Sequence, residues 1–309
     1  MLRKIFRLIT IFLGILIIIS ILYYFTLSTE PIIIKIPQGS TGKEIAKILH
    51  ENKLILNKDV FLFLSDLTGS TKKFQSGTYK FNQKMNLLKI IYMLRKGQTL
   101  KIKITIPEGY TSEQIAELIE QKGLGKKEKF LEIVKKNKLE GYLFPETYFF
   151  EPDITEEKIV TTMKQEFEKK FSEEFKNRAK EIGMSVHQVV TLASIIEKEA
   201  KLDEERDIIS GVFHNRLKKG WLLESCATVR YALKKYKDKL TYKDIKFESP
   251  YNTYLKYGLP PGPICNPGLK SIKAALYPAK TDLMFFFTKG EGTHEFSKYY
   301  KEHVEGQKK

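Results

Sequence analysis

Twenty consecutive residues, Leu8 to Leu27, carry no charge and are mostly Ile, Leu and Phe. As an α-helix rising about 1.5 Å per residue, such a run reaches about 30 Å, the thickness of one bilayer hydrocarbon core. It reads as a spanning helix. Arg3, Lys4 and Arg7 precede it and Ser28, Thr29 and Glu30 follow, so the positive-inside rule puts the N-terminus in the cytoplasm and the rest of the chain outside. Tyr23 and Tyr24 stand where an interfacial aromatic belt would be. The run is long for a cleaved signal peptide and no small-x-small site follows it. The expectation is a cytoplasmic tail over 1–7 and a single-pass anchor over 8–27 in the cytoplasmic (inner) membrane, with an extracytoplasmic, periplasmic-side body.

At 309 residues and 42% hydrophobic content, the remainder can bury a core in one or two domains. The net charge of +16 favours anionic partners: nucleic acid, acidic lipid headgroups or acidic cell-wall polymer. An extracytoplasmic body sets nucleic acid aside. The two cysteines, Cys226 and Cys265, are too far apart for a zinc motif. An oxidising compartment permits a disulfide between them, and two small buried thiols fit as well.

After the anchor, Ile32 to Ile36 reads as a strand ending in the turn Pro37-Gln38-Gly39. Thr41 and Glu44 have capping-box spacing ahead of a helix with Ile45, Ala46, Ile48 and Leu49 on its apolar face. The phrase returns seventy residues later, where Ile106, Pro107, Gly109, Thr111, Ile115 and Ala116 repeat Ile36, Pro37, Gly39, Thr41, Ile45 and Ala46. This is a weak duplication or one supersecondary phrase used twice. Gly77 to Phe81 reads as a returning strand, which makes 31–97 a small β-α-α-β module and leaves 99–309 as a larger domain. The aromatic segment Gly141-Tyr142-Leu143-Phe144-Pro145-Glu146-Thr147-Tyr148-Phe149-Phe150 suits a packed corner better than a sugar-stacking surface. A charged, amphipathic helical stretch is expected from Lys158 to Gly183.

The chemistry is expected at a helix opened by Ser185 and Gln188, another capping box. Val186, Val189, Val190, Leu192, Ala193, Ile195 and Ile196 make it apolar over a broad side, so it should cross a core. Two acids interrupt its end. Glu197 and Glu199 fall at about 80° and about 280° on a wheel with Val189 at zero, flanking the apolar stripe. Partial burial and the negative end of the helix dipole both favour the protonated form of a carboxyl there, the form a general acid needs. Pairing with Lys198, Lys201 or Arg206 at a wet helix end is the plainer alternative.

Downstream, polar, aromatic and proline-rich segments read as loops lining a groove. Asn215, Asn252, Thr253 and Asn266 supply neutral donors and acceptors and Tyr231, Tyr251 and Tyr254 supply rings that suit a polyhydroxylated ligand, with Arg216 and Thr228 as further substrate-binding candidates. No Gly-rich phosphate loop and no zinc-binding His pair occurs; His214 and His294 read as wall or core residues. No metal and no organic cofactor is expected.

These segments resemble the MltG (YceG-like) endolytic murein transglycosylases over nearly the whole chain. The carrying motifs are Gly141 to Tyr148, Ala193-Ser194-Ile195-Ile196-Glu197-Lys198-Glu199, Asn215-Arg216, Tyr251-Asn252-Thr253-Tyr254 and Gly258-Leu259-Pro260-Pro261-Gly262. The resemblance implies an α+β fold with a LysM-like small module. It also implies cleavage of the β-1,4 bond between N-acetylmuramic acid and N-acetylglucosamine inside nascent peptidoglycan strands, leaving 1,6-anhydro ends and ending glycan elongation. It matches the family's catalytic glutamate to Glu199, with Glu197 as the auxiliary candidate, and implies contact with cell-wall synthesis proteins. This chain departs from the family pattern at Glu224-Ser225-Cys226-Ala227-Thr228, where Gln-Ser-Asp-Pro-Thr is expected, so Cys226 replaces an Asp. The competing readings are a non-catalytic, membrane-anchored peptidoglycan-binding scaffold and a hydrolytic muramidase using Glu197 or Glu224 as a second carboxylate.

Overall fold

A computed structural model describes residues 2–236, 240–290 and 292–308. Within the helices and strands, some side chains also lie outside the described set, those of Tyr23 and Tyr24 among them. The chain divides into two units, 1–102 with 151–153, and 103–150 with 154–309.

The first unit begins with α1 (Leu2–Thr26). Among the described residues, no helix is long and apolar enough to cross a membrane. There follow β1 (Ile32–Ile36), α2 (Gly42–Glu51), α3 (Lys58–Leu67), β2 (Gly77–Phe81) and α4 (Leu87–Lys96). β1 and β2 pair antiparallel, with Ile34 opposite Tyr79. Alternate residues of both strands point inward, so Ile34, Ile36, Tyr79 and Phe81 meet Ile45, Leu49, Phe61, Ile90 and Leu94 in one core.

The second unit opens with the same phrase: β3 (Ile102–Thr105), α5 (Ser112–Gln121), α6 (Lys127–Lys136) and β4 (Thr147–Phe150), with β3 paired to β4. The repetition runs deeper than the sequence alignment. Thr41 and Thr111 both close capping boxes, with Glu44 and Gln114 respectively. Tyr79 stacks on Phe81 at 5.5 Å and Tyr148 on Phe150 at 5.6 Å, and each tyrosine donates its hydroxyl to the carbonyl four residues back. One supersecondary unit is therefore used twice. The buried Leu143, Phe144, Tyr148 and Phe150 form a packed corner.

The rest of this unit surrounds one buried helix. Its elements are α7 (Glu156–Lys170), α8 (Glu173–Glu181), α9 (Val186–Glu199), α10 (Arg206–Lys218), α11 (Cys226–Leu233), α12 (Tyr242–Ile245), α13 (Leu269–Leu276), β5 (Phe285–Gly290), β6 (Thr293–Ser297) and α14 (Tyr300–Gly306). The helical stretch expected over 158–183 is two helices. It breaks at Phe171 and Ser172, whose backbones leave the helical region (ψ 75° and 168°), and Phe167, Phe171 and Phe175 turn into the core across the break. α9 starts at its capping box, with Gln188 N–H donating to Ser185 Oγ at 3.2 Å. It packs on α13, α10 and α11.

Candidate active site

Val189 to Ile196 of α9 are all buried, so the last turn is where this helix leaves the core and its side chains can meet a ligand. Glu197 and Glu199 leave that turn in different directions. Glu197 accepts from Arg206 Nη1 at 3.3 Å and from the Gly268 N–H at 3.0 Å. Its side chain is only 6% exposed, and Arg206 also donates to Ser271 Oγ and Asp203. That carboxylate ties the end of α9 to the start of α13. Glu108 adjoins the cluster, its carboxyl pushed up by burial and by the charge of Glu197.

Glu199 meets a cleft of about 360 Å³, whose walls include Arg216, Glu224, Cys226, Tyr254, Phe285 and His294. Its Oε1 accepts a hydrogen bond from the Ser225 hydroxyl and one from the Ala227 N–H at 3.3 Å. Oε2 takes no hydrogen bond among the described residues, which leaves it as the oxygen able to meet a ligand. The partners of Glu199 are thus a hydroxyl and a backbone N–H, not the Lys198, Lys201 or Arg206 of the alternative reading. The C-terminus of α9 and the N-terminus of α11 converge on it with opposite dipole ends.

Behind Glu199 lies a hydroxyl network. The Ser225 N–H donates to Thr253 Oγ1 at 3.0 Å, the Thr228 hydroxyl donates to the Ser225 carbonyl at 2.8 Å, and the two threonine hydroxyls are 2.9 Å apart. Thr228 and Thr253, expected to touch sugar, are buried and hold Ser225 instead.

The three asparagines likewise spend their donors on the fold. Asn215 donates to the carbonyls of Thr281 and Leu283. Asn252 is buried and donates to the Ile245 and Phe247 carbonyls while accepting from the Tyr254 N–H. Asn266, also buried, accepts from the Leu143 N–H and donates to the Tyr110 carbonyl and Glu140. Arg216 donates to the Met284, Leu223 and Leu222 carbonyls and to Glu224 at 3.1 Å, and lies over the Phe285 ring, so it both braces and walls the cleft. Tyr254 reaches the cleft; Tyr231 and Tyr251 line a different cavity of about 800 Å³.

The pairing entertained for Cys226 and Cys265 is not made, and both are free thiols. Cys226 Sγ lies in the cleft wall, 3.0 Å from the Tyr254 hydroxyl, whereas Cys265 is fully buried and donates to the Ser194 carbonyl. Burial pushes the Cys265 thiol well up, as expected of an inert core residue. His214 is a core residue bonded to the Ala275 carbonyl, with burial lowering its basicity, and His294 is a wall residue joined to Glu205 at 2.7 Å.

Sequence reasoning assigned no role to Ser225, Glu140 or the β5–β6 hairpin that brings Phe285 and His294 to the cleft. Glu140 carried one usable signal: it is an acid directly before the apolar Gly141–Phe144 run.

A carboxylate presented by a buried helix into an aromatic-walled cleft, with one oxygen braced and the other taking no hydrogen bond among the described residues, is placed to exchange a proton with a bound ligand. The chain belongs to the YceG-like family, whose model matches residues 34–309. It is 40% identical to an endolytic murein transglycosylase of Bacillus subtilis (strain 168), over 89% of this chain and 84% of that one. It is 29% identical to an endolytic murein transglycosylase of Streptococcus pneumoniae (strain D39), over 84% of this chain and 54% of that one. A crystal structure of a yceG-like protein, lmo1499, from Listeria monocytogenes superposes with a TM-score of 0.62 at 37% identity, covering 90% of this chain and 99% of that chain.

Proposed function

We propose that this protein is an endolytic lytic transglycosylase of peptidoglycan. It cleaves the β-1,4 bond between N-acetylmuramic acid and N-acetylglucosamine within nascent strands, with Glu199 as both acid and base. The observation that carries this reading is Glu199 in its cleft, one oxygen held by Ser225 and Ala227 and the other taking no hydrogen bond among the described residues, in a chain whose relatives are named endolytic murein transglycosylases.

In this reaction the Glu199 carboxyl gives its proton to the glycosidic oxygen, and the C1–O bond breaks as an oxocarbenium-like centre develops. The resulting carboxylate then takes the proton of the muramyl C6 hydroxyl as that oxygen closes on C1. The nucleophile is part of the substrate, so the ring closure has the proximity advantage of an intramolecular attack and consumes no water. One carboxylate suffices, which fits Glu197 being committed to Arg206 and Gly268.

A hydrolytic muramidase is the second reading, favoured by Glu224 lining the same cleft. Product mass separates the two, because an anhydro end is lighter than a reducing end by one water.

Several described apolar side chains of α1, among them Ile9, Ile11, Phe12, Ile18 and Ile19, are more than half exposed, and an uncovered apolar helix of this kind supports its role as a single-pass anchor with the body outside the cell. The 31–97 segment is read as a LysM-like, glycan-holding module. A groove of about 400 Å³ between the loop after β1 and the loop before β2 supports that use. The 99–309 segment is read as the catalytic domain, and anchoring would keep it beside cell-wall synthesis proteins.

Glu199→Gln keeps the shape of the side chain and removes its transferable proton. Purified sacculi treated with the variant should yield no anhydro-ended fragments, while its circular dichroism matches the parent. Undiminished release of those fragments would overturn the assignment.

A further inference from the structure

A cavity of about 800 Å³ in the second unit is lined by residues other than Glu199. Tyr231 and Tyr251 form one wall, ring centroids 5.0 Å apart and tilted by 50°. His187 forms another, pinned at both ring nitrogens by the Tyr142 hydroxyl at 3.0 Å and the Pro261 carbonyl at 2.9 Å. Val134, Leu139 and Pro263 add apolar surface, and Glu140 supplies a carboxyl. Two partners orient that carboxyl: the Ser112 N–H reaches both oxygens, at 3.0 and 3.2 Å, and Asn266 Nδ2 reaches one at 3.2 Å.

We propose that this cavity is a distal saccharide subsite, which takes an N-acetylhexosamine residue of the same strand away from the scissile bond. Three features select that ligand class. Tilted tyrosine rings offer apolar faces to the C–H face of a pyranose while their hydroxyls stay polar. The aliphatic patch suits an acetyl methyl, and the carboxyl beside it suits the amide of the same acetamido group. Placement completes the case: α11 carries Cys226 in the cleft wall and Tyr231 in the cavity wall, five residues or about 7.5 Å apart along its axis. Tyr254 and Tyr251 repeat the relationship on the neighbouring loop. Cleft and cavity are thus lined by the same helix and by the same loop. Burial pushes the Glu140 carboxyl up to about 7, so near neutrality its acid form can donate to an acetamido carbonyl.

The subsite rests on the transglycosylase reading, and it is tested by binding alone. The full-length Glu199→Gln protein is titrated calorimetrically with chitobiose and with chitohexaose. Lengthening the ligand should tighten Kd by about tenfold or more. In the same background, Tyr231→Ala and Tyr251→Ala should each remove at least about fivefold of the chitohexaose affinity. Unchanged chitohexaose affinity in both folded variants overturns the subsite. If either variant fails to fold, the ring resonances of His187 are followed by NMR in the Glu199→Gln protein: a shift on adding chitohexaose but not chitobiose supports the subsite, and no shift with either overturns it. Anhydro-product release by Glu199→Gln would defeat the catalytic assignment and leave these binding results to be judged by themselves.

Discussion

Ser225, at the start of α11, donates its hydroxyl hydrogen to Oε1 of Glu199, at the end of α9. Two elements that meet only through tertiary packing thereby fix one oxygen of a side chain with three rotatable bonds, and the other oxygen is oriented as a consequence. Ser225 is itself 2% exposed and held by Thr228 and Thr253. The arrangement is a brace behind Glu199, built from the hydroxyls of buried residues.

Removing the brace should cost rate more than binding. Ser225→Ala is expected to lower kcat by about tenfold to a hundredfold, the equivalent of about 1.4 to 2.7 kcal/mol of lost orientation, with KM moved by less than about threefold. Thr253→Val, one step further back, should act in the same direction and more weakly. A rise in KM at constant kcat would show that Ser225 touches substrate instead.

Glu197 and Arg206 should matter for stability. Their side chains are 6% and 9% exposed, so removing Arg206 leaves the Glu197 charge buried with the Gly268 N–H alone, whereas Arg206 keeps Asp203 when Glu197 is replaced. Arg206→Met is expected to destabilise the fold by about 3 to 5 kcal/mol, read as a lower denaturation midpoint in urea. Glu197→Gln keeps a hydrogen-bonding side chain toward Gly268 and should cost less. Loss of turnover with a wild-type midpoint in Glu197→Gln would move the catalytic role to that residue.

Glu140 makes a pH prediction whose sign can be worked out. Burial raises its folded-state pKa from the ordinary carboxylate value of 4.5 to about 7. The folded protein therefore binds this proton more tightly than the unfolded chain does. The contribution is fully present below about pH 4.5 and is lost as pH rises through about 7, on the order of 3 kcal/mol in total. Glu108, also raised, acts in the same direction. Glu156 and Asp244, both lowered to about 2, act oppositely and only in more acidic solution. Urea midpoints taken from pH 5 to pH 8 should fall in the parent and fall less in Glu140→Gln. Parallel profiles would place the Glu140 proton outside this window.

What the sequence reveals divides by the range of the cause. Ser185 and Gln188 announce the start of α9 because a capping box is closed by residues three apart, and the two β-α-α-β phrases are legible for the same reason. The side chains of the site are legible as types but not as roles. Whether Asn266 faces a sugar or the backbone depends on Leu143, 123 residues away, and no local pattern carries that. Arg216 and the β5–β6 hairpin, and Ser225 and Glu199, raise the same difficulty. The broken helix at Phe171 did leave a local trace: Ser172 followed by Glu173 and Glu174 is a start signal in the middle of a helical pattern.

The duplicated phrase allows a last prediction, because it places the same cap in two surroundings. Thr41 and Thr111 accept from the N–H three residues on, at 3.3 and 3.2 Å, and each is answered by the side chain at that third position. Replacing either threonine by alanine should cost about 1 kcal/mol for the lost cap. The second site should cost more. Thr111 is 1% exposed and its helix begins at Ser112, whose N–H binds the buried Glu140 carboxyl. Fraying of that first turn loosens an internal carboxyl as well as a helix end, and exposing it to water should flatten the pH dependence of stability as Glu140→Gln does. Thr41→Ala should leave that dependence intact, since no buried acid is bonded to the first turn of α2; equal effects of the two substitutions on the pH profile would show that the cap and Glu140 are uncoupled.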